Sequence, residues 1–138
     1  MTTPLYALLF FTAWTLGIAT VGVGAWRVWN VFMGRARAND FPADTPHGPD
    51  WYRRGMRAHA NCVENRGVFG ALVLIGHAAG LQDGTFATLA QAVAVARVGQ
   101  TVAHVASGRS LVVNIRFAFF LTQLVCFGAM AVLLLRLG

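Results

Sequence analysis

Arg57, Asn61 and Glu64 are spaced i, i+4 and i+7 within the stretch Arg57-Ala58-His59-Ala60-Asn61-Cys62-Val63-Glu64. In a helix these three side chains share one face. The stretch runs directly into residues 67–80, which carry no formal charge. Glu64 is the only glutamate in the chain. A carboxylate at the mouth of an apolar helix is costly unless it meets a partner or a cavity. Arg97 is followed by Gln100, Thr101 and His104 at +3, +4 and +7, and Arg116 by Gln123 at +7. Three segments thus each present a polar stripe. Arginine's planar fork grips carboxylates through two parallel hydrogen bonds, so these stripes point to a cavity for a small polycarboxylate molecule. The plainer reading is a set of interhelical hydrogen bonds and ion pairs, with Glu64 against Arg97. One acid cannot neutralise this many cations, however. Positive charge left over in low dielectric calls for an anionic ligand.

The elements that must position these stripes are membrane helices. The 138 residues are 57% hydrophobic and only 12% charged, against about 25% charged in a soluble domain. This predicts an all-α integral membrane protein, a single domain over residues 1–138. Leu5 to Trp26 is an uncharged run of 22 residues, long enough to cross a bilayer, with Trp26, Arg27 and Trp29 as an interfacial belt at its far end. It is longer than a signal-peptide core and lacks a basic flank. Gly17, Thr20 and Gly24 offer another helix a close approach. Residues 34–51 read as a loop, with Pro42, Pro46, Pro49, Gly48, Asp40, Asp44 and Asp50 as turn and breaker residues. A second helix is expected from about Trp51 to Gly80 and a third from about Thr85 to Ala106. The tight turn Leu81-Gln82-Asp83-Gly84 joins them, and Ser107-Gly108 breaks the third. A fourth runs from about Leu111 to Leu135. Four spanning helices with short connections make a four-helix membrane bundle.

All 11 basic residues are arginine, and the net charge is +6. They are spread over helix ends and interiors with no basic run, so nucleic acid is not the expected partner. The first and third connections carry Arg35, Arg37, Arg53, Arg54 and Arg109, and the second carries none. The positive-inside rule places loops one and three in the cytoplasm and both termini outside. An alanine-rich chain whose bases are all arginine suggests a bacterial inner membrane. Cys62 and Cys126 fall in different helices and read as free thiols, with Cys62 a small core residue. His77 reads as structural, and His104 as a neutral ring bonded to a backbone carbonyl. No metal site is expected.

Arg57-Ala58-His59-Ala60-Asn61-Cys62-Val63-Glu64 resembles the Arg-x-x-x-Asn-x-x-Glu signature of the MAPEG family (membrane-associated proteins in eicosanoid and glutathione metabolism), as a bacterial-type member. Ala96-Arg97-Val98 with Thr101-Val102-Ala103 is similar to the family's third-helix arginine segment. Gln123-Leu124-Val125-Cys126 is similar to the end of its fourth-helix site, and Gly34-Arg35-Ala36-Arg37 to its first-helix exit. The resemblance implies a homotrimer that binds glutathione between neighbouring subunits. It implies glutathione contacts at Arg37, Arg57, His59, Asn61, Glu64, Arg97 and Gln123. The family's thiolate-stabilising arginine aligns at or beside Arg116. Where the family often has a third-helix tyrosine this chain has His104, a candidate proton donor.

The implied function is a membrane-embedded glutathione-dependent transferase or peroxidase. Its second substrate would be a hydrophobic electrophile or lipid hydroperoxide arriving from the bilayer. Two other functions fit the same residues. One is a protein of this fold that binds glutathione or lipid without turnover. The other is a small four-helix transporter, against which stands the absence of any acid in the first helix.

Overall fold

A computed structural model describes residues 1–42 and 45–137 and is all-helical. Asp44, one of the expected loop acids, lies outside the described residues. Helix α1 (Thr3–Phe32) begins with Pro4 in its first turn, where the missing N–H is no loss. It is π-helical over Ile18–Gly24 and α-helical on either side. Helix α2 is Asp50–Ala78, α3 is Gly84–Ala106 and α4 is Ser110–Leu135. At the start of α3 the Asp83 carboxylate accepts from the Phe86 N–H at 2.7 Å, a capping bond that fixes where this helix begins. Gly80, with φ +70, ends α2 in the left-handed conformation that glycine adopts without strain. Asp50 accepts from Arg53 in the first turn of α2. That hydrogen bond, reinforced by the charge of Arg53, holds its carboxyl below the usual carboxylate range.

Helix boundaries agree with the sequence expectation to within a few residues, except that α1 continues through Trp26 and Arg27 to Phe32. Two of the four helices, α1 and α4, are long and apolar enough to cross a membrane. Only 17% and 22% of their most apolar windows are buried within the protomer. At 1.5 Å per residue α2 and α3 reach ~43 and ~35 Å, enough for a hydrocarbon core of about 30 Å. Arg57, Glu64 and Arg66 in α2, and Arg97, Gln100 and His104 in α3, hold their mean hydropathy down. Of the four expected spanning helices, all four form and two are apolar enough to cross a membrane by composition alone.

Helix α3 is the hub, packed against α1, α2 and α4. Phe11, Phe69, Val73, Phe86, Phe127 and Met130 form the centre of the apolar core. Phe11 and Phe69 pack with ring centroids 5.4 Å apart, and Phe69 and Phe127 at 6.1 Å. Gly76 of α2 lets the Phe86 ring and Leu134 close in; a Cβ there would lie 3.0 Å from Phe86. The glycines of α1 do something else. Gly17 has no neighbour within 4 Å, and a Cβ on Gly24 would lie 2.8 Å from the Ala19 carbonyl oxygen of its own helix. Gly24 thus accommodates the wide turn rather than a second helix. The connection after α1 folds back so that Trp26, Phe41, His47, Trp51 and Tyr52 pack edge to face and tilted, with Tyr52 fully buried.

Candidate functional site

The three polar stripes converge where α2, α3 and α4 meet, in the half of the bundle nearest the first and third connections. There Arg54 Nε, at the start of α2, donates to the Val105 carbonyl at the end of α3 (3.0 Å). Arg97 lies within α3 and is 1% exposed. Its Nη1 donates to Asn61 Oδ1 of α2 at 2.6 Å. Its guanidinium carbon stands 5.1 Å from the centroid of the Phe11 ring of α1, and the Cys62 thiol lies against it. Nε and Nη2 of Arg97 are buried with no hydrogen-bond partner. A desolvated cation–π contact contributes about 2 kcal/mol and one charged hydrogen bond about 1.5–3 kcal/mol. Desolvating an ion costs several kcal/mol, about what these two contacts return, and Nε and Nη2 are desolvated with no hydrogen bond among the described residues to offset it.

One turn further along α3, Gln100 Oε1 accepts from Gln123 Nε2 of α4 at 2.9 Å. The same nitrogen also donates to the Phe119 carbonyl at 3.0 Å. Gln123 is fully buried, and its Oε1 has no partner. Thr101 donates to the Arg97 carbonyl (2.9 Å) and accepts from Trp14 Nε1 (3.2 Å), which ties α1 to this row. Arg116 Nη1 of α4 donates to His104 Nδ1 at 3.3 Å. Nδ1 must then carry its lone pair, which puts the proton of the neutral ring on Nε2. The expected backbone-carbonyl partner for His104 is thus replaced by a guanidinium. A sequence reading cannot see this, because the pairing depends on how α3 and α4 are rotated about their axes.

Asn61, Gln100, His104 and Arg116 line one cavity of about 250 Å³, and Val113, Phe117 and Phe120 of α4 form its apolar wall. His104 feels the charges of Arg116, Arg97 and Arg57 together. Arg57 and Glu64 lie on the same face of α2 as Asn61 but are exposed, at the open edge of the cluster. Glu64 makes no ion pair with Arg97. Among the described residues the one salt bridge is Arg53 with Asp50, at the surface. The expected structural pair is therefore absent, and the donors of Arg97 stay unsatisfied. The apolar wall was not anticipated, although Val113, Arg116 and Phe120 sit at i, i+3 and i+7 and the spacing was there to be read.

The remaining candidates lie elsewhere in the protomer. His59 points to the other side of α2, into a groove shared with Arg27 and Met56. Arg37 is exposed in the connection after α1, where its backbone N–H donates to Asp40 Oδ2 at 2.7 Å. Cys62 is buried, 3.7 Å from the Thr101 hydroxyl, and Cys126 is buried; both are free thiols. His77 is exposed rather than packed. No group of three or more His, Cys, Asp or Glu that could hold a metal ion occurs among the described residues.

The sequence matches the model of the MAPEG family over residues 4–136. No curated protein matches the chain. The match runs through all four helices and includes every element of the polar cluster. The all-helical fold, two apolar spanning helices and this near-complete match agree that the chain belongs to the MAPEG family of membrane-associated proteins.

Proposed function

We propose that the protein is a membrane-embedded glutathione-dependent transferase or peroxidase acting on hydrophobic electrophiles or lipid hydroperoxides. The observation that carries this reading is Arg97, a buried guanidinium with two nitrogens unpartnered among the described residues, set behind Asn61, which lines a cavity with Gln100, His104 and Arg116. Donors outnumber acceptors there, which fits a thiol peptide with two carboxylates. In this reading all four helices cross the membrane, with loops one and three cytoplasmic and the termini outside. Three copies assemble, so that a neighbouring subunit closes the open edge where Arg57 and Glu64 stand. Arg37 and His59, remote from the cluster within one protomer, would join a site only across such a contact. The inner membrane of a bacterium is the proposed location.

Bound glutathione supplies a thiol that reacts as its thiolate. Asn61, held by Arg97 Nη1, would offer its amide to the peptide with the Arg97 charge behind it, and Gln100, held by Gln123, would form the polar floor. Arg116 faces the cavity beside an apolar wall, so its charge is available to stabilise a thiolate where water is scarce. His104 accepts from Arg116 through Nδ1 and so acts as a positioning residue for that guanidinium. Its Nε2–H remains free to donate a hydrogen bond into the cavity. Val113, Phe117 and Phe120 give an apolar second substrate a surface beside the sulfur.

Turnover is the test. Purified protein in detergent should consume glutathione with an apolar electrophile or an organic hydroperoxide, and Arg116→Leu should lower kcat/KM about a hundredfold. Glutathione binding without turnover of either substrate class would instead establish a non-catalytic binder.

A further inference from the structure

We propose that Arg27 is the headgroup contact of a specific site for an anionic phospholipid, separate from the cluster around Arg97. Arg27 follows Leu5–Trp26 directly, so it stands at the end of ~33 Å of uncharged helix, the depth of a membrane–water interface. Trp29 and Trp51, both exposed, mark the same level, as aromatic belts do. The guanidinium is held rather than loose. Its Nε donates to the buried Tyr52 hydroxyl, and its carbon stands 5.5 Å from the Phe41 centroid and 5.8 Å from that of Tyr52. The Tyr52 oxygen lies 3.3 Å from His47 Nε2, and His47 Nδ1 lies 3.1 Å from the Thr45 carbonyl, so the clamp extends into the connection. Nη2 has only the Met56 sulfur at 3.9 Å, and Arg27 forms no salt bridge among the described residues.

An open groove lies on each side of this cation. One, of about 370 Å³, runs between the widened segment of α1 at Ala19 and Val23 and Met56 of α2. The other, of about 460 Å³, is walled by Val28, Val31 and Phe32 with Phe41. Arg27 lines both. A fixed fork with no acid against it among the described residues, set between an apolar groove and one that His59 also lines, at interfacial depth, matches a phosphate carrying two acyl chains. A net negative headgroup satisfies the charge where a zwitterionic one brings its own cation. The wide turn of α1 has a use here, because it opens the first groove next to Gly24.

The test uses the full chain in detergent, titrated with phosphatidylglycerol in mixed micelles and followed by native mass spectrometry and thermal unfolding. Wild type should retain phosphatidylglycerol and gain thermal stability from it. Arg27→Gln should weaken retention about tenfold or more, the effect of one charge-assisted contact. Arg35→Gln with Arg37→Gln, which remove neighbouring exposed charge and leave the Arg27 clamp intact, should change retention less than threefold, well short of that tenfold. Val31→Trp fills a groove without touching the charge and should also release the lipid, which keeps the test decisive if Arg27→Gln does not fold. Equal retention of phosphatidylcholine, equal stabilisation by inorganic phosphate, or unchanged retention in Val31→Trp would overturn the proposal. Failure here leaves the Arg97–Arg116 cluster and its glutathione test untouched, since neither Arg27 nor Val31 lines that cavity, although His59 shares the first groove.

Discussion

Arg97 is more charge than the protomer needs for its own stability. Asn61 is its one hydrogen-bond partner among the described residues, and Phe11 covers one face of the guanidinium. Replacing a buried, poorly paired ion by an apolar side chain of similar volume is often neutral or stabilising, whereas removing its partner is not. Arg97→Met should therefore leave thermal stability in detergent within about 1 kcal/mol of wild type or raise it, while Asn61→Leu should cost about 3 kcal/mol. Thermal unfolding of the two variants side by side checks this; a large loss in Arg97→Met would mean that the arginine serves the fold. Arg116 makes a different prediction. In the proposed function it stands beside the glutathione sulfur, and a cation there favours the thiolate, so the bound thiol should ionise below the ~8.5 of a free thiol. Arg116→Leu should move the midpoint of thiolate absorbance, and of the pH–rate profile, upward toward that value. Spacing along the chain was enough to place Arg57, Asn61, Glu64, Arg97, His104, Arg116 and Gln123 on polar helix faces. It could not say which of them meet, because the bond from Arg116 to His104 and the lack of one from Glu64 to Arg97 depend on helix rotation.

At the scale of the elements, hydropathy and breaker residues marked all four helices, since Gly80, Asp83, Ser107 and the proline-rich connection stop helices by local chemistry. The π-helical turn at Ile18–Gly24 was not legible, because Gly17, Thr20 and Gly24 make the same small-residue pattern whether a neighbouring helix or the helix's own wide turn needs the space. The return of the first connection onto Tyr52 was equally hidden, since it joins residues by tertiary packing alone. Gly76 shows the other use of glycine. The Phe86 ring and Leu134 already occupy the space a methyl group would take, and Phe86 is 2% exposed with little room to give. Gly76→Ala should cost about 1–3 kcal/mol by overpacking. Gly67→Ala, on the same helix with nothing within 4 Å, is the control and should be neutral or gain up to ~1 kcal/mol from helix propensity. Equal stabilities for the two would contradict the packing described for the α2–α3–α4 end.

At the scale of the whole molecule, the protomer is an open structure. The membrane character of the chain was plain from composition, yet α2 and α3 are too polar to be recognised as spans by hydropathy. In the proposed function their polar residues line or back a binding site. The exposed Arg57 and Glu64 beside the buried Arg97 leave that site open on one side. In the proposed assembly a second subunit covers it, so light scattering in detergent should give a protein mass of about three protomers of 14.8 kDa. A monomer of that mass that still turns over glutathione would remove the need for a neighbouring subunit.

Isothermal titration of glutathione into the purified protein, wild type against Arg97→Met, addresses the orphaned donors directly. Saturable binding to wild type that falls by tenfold or more in an equally stable Arg97→Met protein is the expected result, at ~1.5–3 kcal/mol for a charged hydrogen bond. Binding that is absent in folded wild type, or unchanged in Arg97→Met, would contradict the assignment of the polar cluster as a glutathione site.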